Sequence, residues 1–167
     1  MEKLIDVEFE KAVRFLAQHM PVSVEGSRKP VLFHDIRVGV YLYANNYGRD
    51  IVLAGILHDA LEWSEITAEM LISEFGENIV RLVKACSKDR SIKDSDERIE
   101  ELIRRCAGEG KEALIVKIAD TLDSFKHYTA TKNEAELEYC RKNAEAILKY
   151  LPADLSDPIL DELKKWR

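Results

Sequence analysis

One stretch constrains the fold more than any other. Ile51-Val52-Leu53-Ala54-Gly55-Ile56-Leu57 is apolar at every position and runs straight into His58-Asp59. A helix that is greasy all round belongs in the interior, so other helices must surround it. The rest of the chain supplies them. Ile5, Phe9, Val13, Leu16 and Met20 recur at steps of three and four, which predicts a helix over residues 4–20. After a loop at 21–30, a second helix runs from Leu32 to about Asn46, stopped by Asn45-Asn46-Tyr47-Gly48. The apolar helix starts near Asp50. Thr67 and Glu69 suit the first turn of a short helix ending at Gly76, and Glu77–Cys86 forms another, with Ile79, Leu82 and Val83 inward. Residues 87–96 are polar and read as an exposed loop. Helices follow at about Glu97–Ala107, Lys111–Thr129, Glu134–Leu151 and Pro158–Trp166, with Gly108 and Gly110 separating the first two and Asn133 available as a cap. No stretch alternates convincingly with period two, and no repeat is visible. The expectation is an all-α, single-domain bundle over residues 1–167.

Composition narrows the class. The chain has 25 Lys plus Arg against 31 Asp plus Glu, a net charge of −6, which disfavours duplex nucleic acid as a partner. Cys86, Cys106 and Cys140 are an odd, widely spaced set without a CxxC pair, as expected in a reducing cytoplasm. No apolar run approaches the roughly 20 residues of a membrane span. The start, MEKLIDVEFEK, has no apolar signal core. A cytoplasmic protein is expected. The apolar positions Ile147, Leu148, Leu151, Ile159, Leu160 and Leu163 either close the core or form a homodimer face.

Two helices carry charge where it does not belong. Asp59 ends the apolar run, and Asp120 follows Ala113-Leu114-Ile115-Val116-Lys117-Ile118-Ala119. A buried carboxylate is costly unless it is paired or binds a metal. Either aspartate alone is explained equally well by an Arg or Lys partner, and His34 alone by a core or capping role. Taken together, two imidazoles (His34, His58) and two carboxylates (Asp59, Asp120) suit a divalent cation of intermediate softness. Mn²⁺ is the first choice, ahead of Fe²⁺, Co²⁺, Zn²⁺ or Mg²⁺, and Ca²⁺ is disfavoured. Asp35, also preceded by a His, is explained by the first turn of its helix and is given no ligand role.

In this order, His34, then His58-Asp59, then Asp120, the chain resembles the H…HD…D signature of the HD-domain metal-dependent phosphohydrolases. The surrounding residues, over roughly 10–150 with the signature at about 28–124, are similar to the RelA/SpoT-type guanosine-polyphosphate hydrolase domains. Arg28-Lys29-Pro30-Val31-Leu32-Phe33-His34 is similar to that family's RK…P…H, Leu57-His58-Asp59-Ala60-Leu61-Glu62 to its LHDxxED, and Val116-Lys117-Ile118-Ala119-Asp120 to its KLAD. Phe75-Gly76 through Leu82-Val83 resembles its FG-xx-V-xx-LV helix. The resemblance implies that His34, His58, Asp59 and Asp120 hold one metal, that Glu62 and Asp59 serve catalysis, and that Arg28 and Lys29 approach the substrate. Lys88 and Ser124 are read as further substrate contacts. The chain departs from the family pattern at the second acid, which is Trp63, and in the ADRLHN segment, here Ala119-Asp120-Thr121-Leu122-Asp123-Ser124. Trp63 either stacks on a base or fills the core.

Four protein ligands leave open positions for water and a phosphoryl oxygen. Glu62, four residues after His58, is expected on the same helical face and able to take a proton. Between residues 81 and 93, Arg81, Lys84, Lys88, Arg90 and Lys93 oppose only Asp89, a local excess of about +4 that can be a solvated face or can steer an anion. Lys117 either reaches the site or pairs internally. No histidine lies between His58 and Asp120, which favours one metal over two. The expected activity is hydrolysis of a phosphate or pyrophosphate ester of a small nucleotide. The alternative is a regulatory module that keeps the metal and nucleotide but has lost catalytic power.

Overall fold

The structure, a computed structural model, describes residues 4–23 and 28–166. Among the described residues all regular structure is helical: α1 (Ile5–His19), α2 (Val31–Ala44), α3 (Arg49–Leu57), α4 (Ala60–Trp63), α5 (Ala68–Phe75), α6 (Glu77–Cys86), α7 (Ser95–Glu109), α8 (Lys111–Thr131), α9 (Glu134–Lys149) and α10 (Pro158–Lys164). Residues 24–27 of the expected loop lie outside the described residues. No helix of the described residues is long and apolar enough to cross a membrane.

Two helices form the centre. Every residue of α3 from Ile51 to Leu57 is buried, as the all-round apolar run requires. In α8, Ala113 to Leu122 are buried without interruption. α3 packs against α1, α2, α6 and α8, and α8 against α2, α6, α7, α9 and α10. The closest packing is between α2 and α3. A Cβ on Gly55 would run into Leu42, and one on Gly39 would meet Ile56 at 2.9 Å. Glycine at both positions lets the two backbones approach, and this approach brings His34 of α2 up to the end of α3.

Helix ends follow local chemistry. The Thr67 hydroxyl accepts from the Met70 N–H at 3.3 Å, and the Asn133 carbonyl accepts from the Glu136 N–H at 3.2 Å, both as the sequence suggested. Helix α7 begins two residues before the expected Glu97, because the Asp94 carboxylate accepts from the N–H groups of Asp96 and Glu97, both at 2.9 Å. It also runs through Gly108 and stops only at Gly110, whose φ of 134° no ordinary side chain favours. The C-terminal apolar face closes the core: Ile147, Ile159, Leu160 and Leu163 are all buried within the chain. All three cysteines are buried and free.

One departure bears on function. The apolar helix does not continue through His58-Asp59 but ends at Leu57, and a single turn, α4, follows. The N–H groups of Glu62 and Trp63 both bond to the Asp59 carbonyl, at 3.1 Å.

Candidate metal centre and active site

α2 contributes His34, the α3–α4 junction His58 and Asp59, and α8 Asp120. His34 and His58 are 0% and 2% exposed, which makes their hydrogen bonds decisive. His58 Nδ1 donates to the Gly55 carbonyl at 2.7 Å. His34 Nδ1 donates to Asp123 Oδ2 at 2.6 Å, and Asp123 is fixed in turn by two bonds of 2.8 Å from Arg37. Both rings are therefore tied by Nδ1–H, so that in its neutral form each would present the Nε2 lone pair towards the other ring. The two Nε2 atoms are 3.3 Å apart. Asp120 Oδ1 lies 3.0 Å from His34 Nε2 and 3.6 Å from His58 Nε2, and Asp59 Oδ2 lies 3.9 and 3.6 Å from the same two atoms. A divalent ion takes nitrogen and oxygen ligands at about 2.0–2.2 Å, so neighbouring ligand atoms stand roughly 3–3.5 Å apart. The observed spacings fit a metal ion.

Cations already neighbour these carboxylates. Lys117 Nζ donates to Asp120 Oδ2 at 2.7 Å, so Lys117 forms an internal ion pair and leaves Oδ1 facing the histidines. Lys29 Nζ reaches His34 Nε2 at 2.8 Å and Ser124 Oγ at 3.0 Å, and lies 3.5 Å from Asp120 Oδ1. Burial works against ionisation, yet His58, Lys29 and His34 together hold Asp59 down to about 2. Against the same cost, Lys117, Lys29 and the two imidazoles hold Asp120 well below the usual carboxylate range. Burial also opposes the His58 imidazolium, but Asp59, Asp120 and Asp35 outweigh it and push His58 up to about 10. So much negative charge around an imidazole is what a cation would relieve.

Asp35 departs from expectation. It is the fifth residue of α2 and fully buried, so a solvated first-turn role does not account for it. Neither of its carboxylate oxygens has a hydrogen-bond partner among the described residues, and burial with Asp59 nearby pushes its pKa well above the usual range. His34, Asp35, His58 and Asp59 each offer a ligand atom within 4.8 Å of the others. Asp35, however, approaches His58 from the Nδ1 side, at 3.7 Å, away from the two facing Nε2 atoms.

A cavity of about 440 Å³ opens above Asp59 and Asp120, and Arg28, Lys29, Lys88 and Ser124 all line it. The four residues read as substrate contacts thus share one space with two of the carboxylates. Arg28 is held at its mouth by Glu136 at 3.0 Å. In the basic stretch, Arg81 pairs with Glu109, and Lys88 is the member that lines the cavity.

Glu62 is placed differently from the expectation. Its N–H bonds to the Asp59 carbonyl at 3.1 Å, and its side chain reaches the loop that follows α6. Its Oε1 accepts from the Lys88 N–H at 2.7 Å, Oε2 lies 3.5 Å from Arg90 and 3.8 Å from Lys88 Nζ, and Glu62 is not among the cavity-lining residues. Its carboxylate fastens the 87–94 loop. Asp123 was legible only as a departure from the family pattern, although its spacing of three from Asp120 places both on one face of α8.

The HD domain family matches residues 12–148, most of the chain and all four converging side chains. The chain belongs to the HD domain family. A guanosine-3′,5′-bis(diphosphate) 3′-pyrophosphohydrolase of Aquifex aeolicus is 26% identical over 166 residues, covering 87% of this chain. The chain spans only 24% of that relative's length. The guanosine-3′,5′-bis(diphosphate) 3′-pyrophosphohydrolase MESH1 of Danio rerio is 32% identical over 77 residues, 46% of this chain and 42% of that protein. The HD fold itself is shared with solved structures. A metazoan ortholog of SpoT, described as hydrolysing ppGpp, superposes with a TM-score of 0.69 at 21% identity, over 95% of this chain and 94% of that one. A Listeria monocytogenes protein gives 0.67 at 21% identity, over 87% and 96%.

Proposed function

We propose that this HD domain is a metal-dependent phosphohydrolase that cleaves a phosphate or pyrophosphate ester of a small nucleotide, with guanosine 3′,5′-bispyrophosphate the first substrate to test. One observation carries the reading: the His34 and His58 Nε2 atoms face each other at 3.3 Å beside two buried carboxylates, Asp59 and Asp120, which line a cavity shared with Arg28, Lys29 and Lys88. His34, His58, Asp59 and Asp120 would hold one divalent ion, Mn²⁺ first, through Nε2, Nε2, Oδ2 and Oδ1. A bound ion would lower the pKa of water from about 15.7 to about 7 and polarise a phosphoryl oxygen.

The chain's own residues do the rest. Asp123 and the Gly55 carbonyl hold the imidazoles in the tautomer that exposes Nε2. Lys117 holds Asp120 so that Oδ1 points inward. Lys29 and Lys88 offer ammonium groups to the equatorial phosphoryl oxygens, Ser124 orients Lys29, and Arg28 guards the mouth. Glu62 is a positioning residue, setting where Lys88 stands. The free, buried thiols support a reducing cytoplasm as the setting.

The test is a hydrolysis panel. Protein loaded with Mn²⁺ should release pyrophosphate from guanosine 3′,5′-bispyrophosphate or phosphate from another nucleotide, and Asp59→Ala should lose both metal and turnover. A second reading, a nucleotide-binding regulatory module, is favoured by the diversion of Glu62 to the loop. It predicts nucleotide bound tightly and recovered intact.

A further inference from the structure

Trp63 stands where an apolar ring has little reason to be. It takes no part in the apolar core, is 36% exposed, and lines the cavity together with Asp59 and Lys88. Core filling is therefore excluded as its role. Its backbone N–H bonds to the Asp59 carbonyl at 3.1 Å, which fixes the indole one helical turn from a candidate metal ligand. The Arg90 guanidinium lies over the ring, 4.6 Å from its centroid, and Arg90 does not line the cavity that Trp63 borders, so the cation and the cavity meet different parts of the indole. Arg90 is itself held. Glu62 lies 3.5 Å from its guanidinium and anchors the Lys88 N–H, Arg105 donates to the Ser87 carbonyl at 2.8 Å, and Arg98 donates to the Ile92 carbonyl at 2.8 Å. An indole backed by a cation, braced through its neighbours and bordering a cavity lined also by Lys29 and Lys88, is built to take another flat ring.

We infer that Trp63 is the platform on which the nucleobase of the substrate stacks, with Arg90 behind it, while the phosphates extend past Lys88 towards Asp59 and Asp120. This rests on the phosphohydrolase reading and adds the part of the substrate that the metal cannot recognise.

The experiment uses the full chain with Trp166→Phe, so that Trp63 is the sole indole, and Mn²⁺ present throughout. GDP and inorganic pyrophosphate are the probes. GDP should quench Trp63 fluorescence and pyrophosphate should not. By calorimetry, Trp63→Ala should bind GDP roughly 5- to 150-fold more weakly, the worth of one base–aromatic stack, with pyrophosphate affinity unchanged. Trp63→Phe, which keeps a ring, should stay within about threefold of the unsubstituted protein. If Trp63→Ala binds both probes normally, the platform is wrong and the phosphate site stands. If Trp63→Ala loses pyrophosphate too, Trp63→Phe decides: a loss of GDP affinity as large as alanine's overturns the platform, and near-normal affinity upholds it. If the unsubstituted protein binds neither probe, the platform falls together with the phosphohydrolase reading.

Discussion

The Nε2 atoms of His34 and His58 face each other at 3.3 Å, while each Nδ1–H is bonded on the far side of its ring. Two neutral rings would set lone pairs against each other at that distance, a repulsion that an extra proton or a bound metal cation relieves. Mn²⁺ at about 100 times its dissociation constant should therefore stabilise the fold by about 2.7 kcal/mol, which raises Tm by roughly 5–11 °C for a domain of this size. Differential scanning fluorimetry should show the shift in the unsubstituted protein and no shift in His58→Ala.

Asp123 acts through His34. Asp123→Asn removes the charge that holds the Nδ1–H and should weaken metal affinity about 10–100-fold without unfolding the chain. Competition against a fluorescent chelator measures this directly. An unchanged affinity would mean that the ring is oriented by packing alone.

Glu62→Gln separates two roles. A proton-transferring Glu62 would cost about 10²–10⁴ in kcat. The amide oxygen can still accept from the Lys88 N–H, so kcat should stay within about tenfold of its original value. Glu62→Ala, which releases the loop, should mainly raise KM.

Burial pushes the Cys140 thiol up to about 12. In the unfolded chain it ionises near about 8.5. The folded protein thus resists ionisation that the unfolded chain accepts, and stability should decline as pH rises from about 8.5 towards 12. At pH 8 iodoacetamide should leave all three buried cysteines untouched until denaturant is added, as counted by mass spectrometry.

Much of the fold was legible because its signals are local. The apolar run at 51–57, the Thr67 and Asn133 caps and the helix periodicities place the elements within a few residues. The α7 start differs by two residues because the Asp94 cap lies inside a polar stretch that reads as loop. The metal-site candidates were visible as charge in greasy helices. What the sequence could not show depends on distant partners. His34 and Asp123 are 89 positions apart, and Glu62 and Lys88 are 26 apart. The bond from the Lys88 N–H draws the Glu62 carboxylate to the loop after α6, and nothing in a periodicity count announces it. Asp35 looked like an ordinary first-turn acid and is instead sealed inside the bundle.

The two halves of the site rest on ground of unequal stiffness. His58 follows the buried run of α3 and Asp120 sits in the buried run of α8, whereas Trp63 and Arg90 stand on a four-residue helix and a surface loop. Replacing the latter pair disturbs no interior packing. On the proposed reading, descendants of such a chain could exchange one base for another while inheriting the buried His and Asp cluster intact.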